Sequence, residues 1–249
     1  MITNNAKFGF IIAAGNQTRY KITTPKALLK LSDGRCILDI NYKALKSICD
    51  VVFVVCSNNN HTWFDDSKYN KIIVESGLGS GDAILSTFIK LFSNPSNCHD
   101  SCLIIWGDAI INDQLLRYTV DNANMYDSCT IPCLYEDNPY VQILATESGK
   151  TQVKFSKFND EISNGYHDMS VFFGQVNNIY DGMKKFYTLF YSCSEHRYHH
   201  PHGCEYEFLD TFNDVDGFTA NIIPIDSSIR SYSFNTIDEA NAIIAELDS

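Results

Sequence analysis

The chain has 249 residues, 45% of them hydrophobic and 20% charged, with a formal net charge of −11. That length suits one large α/β domain or two small ones with a sizeable core, and no apolar run is long enough to span a membrane. The acidic balance argues against broad binding to DNA or RNA backbones, and the N-terminus lacks a signal peptide's long apolar stretch. A cytoplasmic protein is therefore expected. The nine cysteines are odd in number and irregularly spaced, with no C-x-x-C pair. They read as reduced thiols rather than as a disulfide framework.

The first half alternates strands and helices. Phe8–Ala14 is expected to be a strand, Leu38–Ile48 a helix, and Val51–Cys56 a near-continuous apolar strand buried on both faces. Ile72–Val74 follows as a short strand, and Asp82–Phe92 as an amphipathic helix with Ile84, Leu85, Phe88, Leu91 and Phe92 on one side. Cys102–Trp106 is another buried strand and Asp113–Ala123 another helix. This alternation implies a doubly wound sheet whose ligands gather beyond the carboxyl ends of its strands, where Gly15 and Asp108 both fall.

The second half changes style. Cys129–Leu134, Val141–Thr146 and Thr151–Phe158 read as strands, the last two joined by a turn at Glu147-Ser148-Gly149-Lys150. His167–Gly174 is a further strand, Ile179–Tyr191 a helix, Tyr206–Phe212 a short helix and Ala220–Ile225 a strand. Ile237–Leu247 is expected to close the domain as a helix capped by Thr236. With no repeat, low-complexity tract or linker, residues 1–249 read as one domain with two lobes, 1–125 and 126–249.

The chemistry gathers first behind the opening strand. Ile12-Ala13-Ala14-Gly15-Asn16-Gln17-Thr18-Arg19 turns from an apolar run into a small polar loop, and Pro25-Lys26 follows. Such a loop can aim backbone N–H groups at an anion, while Arg offers a planar fork to phosphate oxygens and Lys a mobile point charge. A polyphosphate is the expected ligand.

This segment resembles the N-terminal signature of the nucleotidyltransferases that activate sugar phosphates and related phosphate esters, roughly L-A-A-G-x-G-T-R-M and then P-K-x-L. The uridylyltransferases of N-acetylglucosamine 1-phosphate and related cytidylyltransferases are of this kind. Gln17 stands where the family has its second glycine. Three further segments fit in family order. Glu75-Ser76-Gly77-Leu78-Gly79-Ser80-Gly81-Asp82 resembles the base-reading Q-x-G-T-G-H-A segment, with Gly77 in place of the uridyl-type Gln and Asp82 in place of His. Gly107-Asp108 resembles the family's metal-holding G-D, and Asn235-Thr236 its terminal N-T. Asp168 and Glu205 fall where the acceptor is expected, although His167-Asp168-Met169-Ser170 poorly matches the family's N-T-G and Gly203-Cys204-Glu205-Tyr206 only faintly matches G-E-Y-Y.

The resemblance implies a GT-A-like α/β fold with a mixed, mostly parallel sheet and a small β-rich acceptor lobe. It implies attack by a phosphomonoester oxygen on the α-phosphorus of a nucleoside triphosphate, with pyrophosphate leaving. Arg19 is then assigned to the leaving phosphates, Lys26 to the α-phosphate, and Asp108 and Asn235 to Mg²⁺. Ala13, Ala14, Gly15, Asn16, Gln17, Thr18, Gly77, Gly79, Ser80, Gly81 and Asp108 are the expected nucleotide contacts. The partners implied are a nucleoside triphosphate, pyrimidine favoured, and a small phosphorylated acceptor, with neither nucleic acid nor membrane insertion. A cytidylyltransferase acting on a polyol or amino-alcohol phosphate, and a non-catalytic nucleotide-binding protein on the same fold, stand as alternatives.

One cluster belongs to no motif. His196-Arg197-Tyr198-His199-His200-Pro201-His202-Gly203-Cys204 is rich in metal-ligand types, yet its order matches no compact zinc spacing and Pro201 suggests an exposed loop. A solvated loop is the expectation there.

Overall fold

The computed structural model describes residues 5–15, 24–30, 34–111, 113–124, 127–146, 149–158, 162–234, 238–239, 242–243 and 245. The first strand, β1 (Ala6–Ile12), lies between β2 (Cys49–Ser57) and β4 (Ser101–Trp106), and β3 (Lys71–Val74) flanks β2. All four run parallel, in the order β3-β2-β1-β4. Successive residues of β1 serve opposite faces. Phe10 packs with α2 (Gly79–Leu91) and α4 (Val176–Phe190), whereas Ile11 packs with α1 (Ile37–Lys46) and α3 (Asp113–Asp121). Helices therefore cover both faces, which explains why β2 and β4 are nearly continuous apolar runs.

Beyond β4 the sheet becomes mixed. It continues through β6 (Cys129–Glu136), β7 (Val141–Ala145), β8 (Thr151–Phe155), β9 (Gly165–Asp168), β10 (Val171–Gln175) and β13 (Ala220–Pro224). Thr130 of β6 pairs with both Phe173 and Asn221, and Cys133 pairs with both Asp168 and Pro224. So β9 and β10 share one edge of β6, and β13 takes the other. The other edge of the β9–β10 path is divided between β4 and β7. Among the described residues, only β8, β9 and β10 run against the direction of the other strands of the sheet. The mixed, mostly parallel architecture expected from the sequence is thus present.

The expected single strand over His167–Gly174 is interrupted. From Asp168 to Phe173 the chain advances two residues more than β6 does from Cys133 to Thr130. The excess forms a bulge at Met169-Ser170, with Ser170 at φ 60°. Ser170 is held from both sides: its N–H donates to Asp168 Oδ1 (2.9 Å) and its carbonyl accepts from Trp106 N–H (3.2 Å). Bulges of this kind re-aim side chains beside active sites.

Other boundaries shift for identifiable reasons. The short helix expected over Tyr206–Phe212 is instead α5 (Asp210–Asp214). Tyr206 cannot join it, because its N–H donates to Leu78 O and its carbonyl accepts from Gly81 N–H. α4 begins at Val176 rather than Ile179, its first amides satisfied by Asp100 O and Cys98 O. Thr151–Phe158 is strand only to Phe155, followed by a 3₁₀ turn at Ser156–Phe158. Two short pairings were not expected. β11 (Tyr191–Ser192) pairs with β12 (Arg197–Tyr198), and β5 (Ala109–Ile110) pairs with β14 (Tyr232–Ser233). The turn at 147–148 and most of the closing helix lie outside the described residues.

All nine cysteines are free. Cys102, Cys129 and Cys133 are fully buried, and desolvation pushes each thiol up. They serve as small core hydrophobes. Among the described residues no helix is long and apolar enough to cross a membrane.

Candidate active site

A cavity of about 480 Å³ opens at the carboxyl ends of β1, β3 and β4. The last residues of β1 and the turn after β4 are held together by the backbone. Ala13 N–H donates to Val55 O (2.8 Å), and Gly107 N–H to Ile12 O (2.9 Å). Gly107 permits that approach, since a Cβ there would sit 2.9 Å from Ile12 O. Asn60 adds a side-chain clamp, its Nδ2 donating to Ala13 O (2.8 Å) while its Oδ1 accepts from Ser57 N–H (2.8 Å). The mouth of the expected phosphate loop is therefore fixed before the loop begins.

Lys26, in the 3₁₀ turn Lys26–Leu28, reaches into this cavity. Its Nζ lies 3.3 Å from Asp108 Oδ2, donates to Phe234 O (3.4 Å) and sits 5.8 Å from the Phe234 ring centroid. The Lys26 side chain is 12% exposed and that of Asp108 43%, so the carboxylate remains open to water and ligands. Behind Asp108, fully buried Asn41 of α1 holds the next strand: Nδ2 donates to Ala109 O (2.6 Å) and Oδ1 accepts from Ile111 N–H (3.0 Å). Ser233 of β14 pairs with Ala109, which brings Phe234 to the same corner.

The glycine segment forms the start of α2. Gly77, Gly79 and Ser80 line the cavity. The helix opens on Leu78 with no side-chain cap, and amides at such helix starts are where anions bind. Gly81 does not line the cavity; its N–H is taken by Tyr206 O, and a Cβ there would meet the Tyr206 ring at 2.6 Å. Its glycine serves packing rather than base contact. Asp82 likewise turns inward. It is buried, accepts from Tyr198 OH (2.6 Å) and Ser86 Oγ (3.3 Å), and burial raises its carboxyl above the usual range.

The opposite wall comes from the second half of the chain. Asp168, presented by the bulge, and Glu205 both line the cavity. Burial raises the Asp168 carboxyl, opposed by the Ser170 N–H and by neighbouring His167. Lys157 and Glu207, which sequence reasoning missed, form an ion pair here at 2.5 Å. Ser80 Oγ donates to Glu207 Oε2 (3.0 Å), which ties this wall to α2. Trp106, Tyr140 and Phe155 supply aromatic lining, and His167 lies 3.4 Å from Glu136. No spacing in the sequence marks Lys157 or Glu207, because only the fold brings their loops together.

Thus Ala13, Ala14, Gly15, Lys26, Gly77, Gly79, Ser80, Asp108, Asp168 and Glu205 surround one cavity. Asn16, Gln17, Thr18, Arg19 and Asn235 lie outside the described residues.

The strand ends of this three-layer α/β fold open on a cavity with a cation beside a carboxylate, the place where such folds bind ligands. The sequence matches the MobA-like NTP transferase domain over residues 9–157, and the chain belongs to that family. It is a nucleotidyltransferase. No curated protein sequence matches it. Among solved structures, the CTP:phosphocholine cytidylyltransferase from Streptococcus pneumoniae is similar in fold, with a TM-score of 0.69 and 14% identity over 98% of this chain and 99% of that one. The inositol-1-phosphate CTP transferase from T. maritima has the same TM-score and identity, over 98% of this chain and 96% of that one.

Proposed function

We propose that the chain transfers a pyrimidine nucleotide from its triphosphate to the phosphate of a small acceptor, a sugar phosphate first, releasing pyrophosphate. The observation that carries this reading is the Lys26–Asp108 pair, set in a cavity between the strand ends and the acidic wall. An acceptor phosphate oxygen attacks the α-phosphorus, and the bond to the bridging oxygen of the β-phosphate breaks. Such chemistry asks for positioning and charge neutralisation rather than a covalent nucleophile. Lys26 neutralises charge gathering on the α-phosphate oxygens. Arg19 is assigned to the leaving β,γ-phosphates. The backbone at Ala13, Ala14 and Gly15, with the following Asn16, Gln17 and Thr18, cradles the triphosphate. Gly77, Gly79 and Ser80 face the base.

The donor set suits Mg²⁺. Asp108 is a partly exposed hard-oxygen ligand within the cavity, and Mg²⁺ takes one or two protein carboxylates while keeping several waters. Asp108 and Asn235 would hold the ion, which when bound would offset phosphate charge. Residues 1–125 supply the nucleotide side in this reading and 126–249 the acceptor side.

The acceptor wall supports a second reading. Asp168, Glu205 and Glu207 suit the hydroxyls of a sugar. Together with Trp106 and Tyr140 they suit equally the cationic head of an amino-alcohol phosphate, since aromatic faces and carboxylates both attract ammonium groups. The test is incubation with each common nucleoside triphosphate and a panel of sugar, polyol and amino-alcohol phosphates, reading pyrophosphate and product mass. A product in which a pyrimidine nucleotide is joined to the acceptor through a diphosphate, formed with pyrophosphate, supports the reading; the acceptor in it identifies the class, and no pyrophosphate from any pair overturns it.

A further inference from the structure

The histidine segment is only partly the solvated loop expected of it: His196, Arg197, His199, Pro201 and Cys204 are exposed, but alternate side chains turn inward. Tyr198 is fully buried, His200 is buried, and His202 stacks edge-on to Phe155 with ring centroids 5.4 Å apart. The chain from β12 into α5 folds these histidines onto Asp210, which is itself 0% exposed. We propose that His200, His202 and Asp210 form a binding site for a divalent transition-metal ion of the zinc class, oriented by Asp214.

Four observations converge. First, one ligand atom from each of the three residues lies within 4.8 Å of the others. His202 Nδ1 is 2.8 Å from Asp210 Oδ1 and His200 Nδ1 is 3.8 Å from Asp210 Oδ2. Ligand atoms about 2.0–2.2 Å from a tetrahedral ion fall between such separations, so the ion fits once the His202 N–H bond to His200 Nδ1 and the His202–Asp210 bond are exchanged for it. Second, Asp210 Oδ2 is buried and has no hydrogen-bond partner. A network built only for hydrogen bonding leaves that oxygen unexplained, since buried acceptors are normally paired. Third, His200 Nε2 lies 3.0 Å from Asp214 Oδ2. With the proton on Nε2, Nδ1 is the acceptor on the Asp210 side; its lone pair takes the His202 backbone N–H at 3.2 Å, a bond that an ion held there would replace. A carboxylate behind an imidazole is the arrangement that fixes the tautomer of metal-bound histidines. Fourth, two carboxylates, Asp210 and Asp214, close on the two imidazoles, a set of nitrogen and oxygen donors whose charge a dication complements. Two nitrogens and one oxygen favour zinc-like ions over Mg²⁺.

The site lies apart from the nucleotide cavity but stiffens its wall. The segment it would clasp carries Glu205, Glu207, Phe208 and Leu209, all of which line the cavity.

The test is direct metal binding, which does not depend on the proposed reaction. The protein is stripped with a chelator, dialysed against excess Mg²⁺, and titrated with Zn²⁺ against a chromogenic competitor. The expected result is one tight equivalent per chain, with visible d–d absorption when Co²⁺ replaces Zn²⁺. His202→Asn and Asp210→Asn should weaken binding at least a hundredfold, and Asp214→Ala about 10–100-fold. His196→Asn and His199→Asn, at exposed positions outside the cluster, should leave it unchanged. His202 is only partly buried, so its variant keeps the test decisive if Asp210→Asn fails to fold. Equal zinc affinity of wild type and folded His202→Asn, or binding that depends on His196 or His199, overturns the proposal.

Discussion

Lys26 and Asp108, 82 residues apart in the chain, meet at 3.3 Å across the mouth of the cavity. The lysine is nearly enclosed and the carboxylate is half open to water, so the pair holds a cation and a reachable carboxylate side by side in the cavity. Lys26→Ala should therefore lower turnover by roughly two or more orders of magnitude, the scale of losing one preorganised charge at a transition state. Its Tm should stay close to wild type. Steady-state rates beside a melting curve check both, and turnover within a few-fold of wild type would remove Lys26 from the mechanism.

Asn41 performs the opposite kind of task. It touches no expected ligand, yet both ends of its amide satisfy buried backbone around the strand after Asp108. Asn41→Ala should cost roughly 1–3 kcal/mol for each buried group left unpaired. If Asp108 holds Mg²⁺, the same change should raise the Mg²⁺ concentration giving half-maximal rate. Denaturant unfolding measures the first effect and a metal titration of rate the second. A fully stable Asn41→Ala protein would show that water replaces the amide.

The glycines separate function from packing. Gly15 lines the cavity, and a Cβ added there would meet nothing within 4 Å, whereas Gly79 has φ +93° and a Cβ there would collide with the Tyr206 backbone. Gly15→Ala should melt as wild type does and lose triphosphate affinity. Gly79→Ala should lose at least about 1–3 kcal/mol of stability, the usual scale of overpacking. Equal melting temperatures for the two variants would show that Tyr206 moves aside freely.

These contrasts mark what the sequence could reveal. Alternating apolar runs located the strands of the main sheet and the helices α1 to α4 that cover it, because burial on both sheet faces imprints itself on local composition. Gly15 and Asp108 were legible as site candidates because strand ends converge in such sheets, whereas Lys26, Asp168 and Glu205 were legible through the family resemblance; all five line the cavity. Tyr206 threading over α2, the Met169-Ser170 bulge and the Asn41 clamp were not legible. Each depends on one backbone meeting another far along the chain, and periodicity specifies a face but not the partner that covers it. Pro201 misled for a related reason: it ends regular structure, yet the histidines on either side turn inward onto α5.

Asp82 should make stability depend on pH. Burial raises its folded-state carboxyl, with the Tyr198 and Ser86 hydroxyls opposing. The folded chain then holds this proton where the unfolded chain, near pKa 3.9, has released it. The associated stability is present below about pH 4 and is lost as pH rises through the raised folded value. Asp82→Asn removes that titration, so its stability relative to wild type should increase as pH rises from 4 towards neutrality. Unfolding free energies across that range check it; a difference that stays flat or falls would place the buried carboxylate at no disadvantage.

The base preference should be for a pyrimidine, CTP or UTP. Gly77 and Gly79 bring backbone against the cavity at the uncapped start of α2, so in the proposed reading a base there meets main-chain donors and acceptors. Gly81 adds no contact, because its amide is committed to Tyr206, so the reading rests on Gly77, Gly79 and Ser80 alone. Losing a hydrophobic contact changes discrimination modestly, but a hydrogen-bonding site that faces the wrong edge is left with unpaired groups and rejects it far more strongly. Discrimination on the order of a thousandfold or more is therefore expected. Equal concentrations of CTP, UTP, ATP and GTP compete for one acceptor, and product masses report the outcome. Predominant adenylyl or guanylyl transfer would mean that the start of α2 does not read the base, and would move that role to another part of the cavity wall.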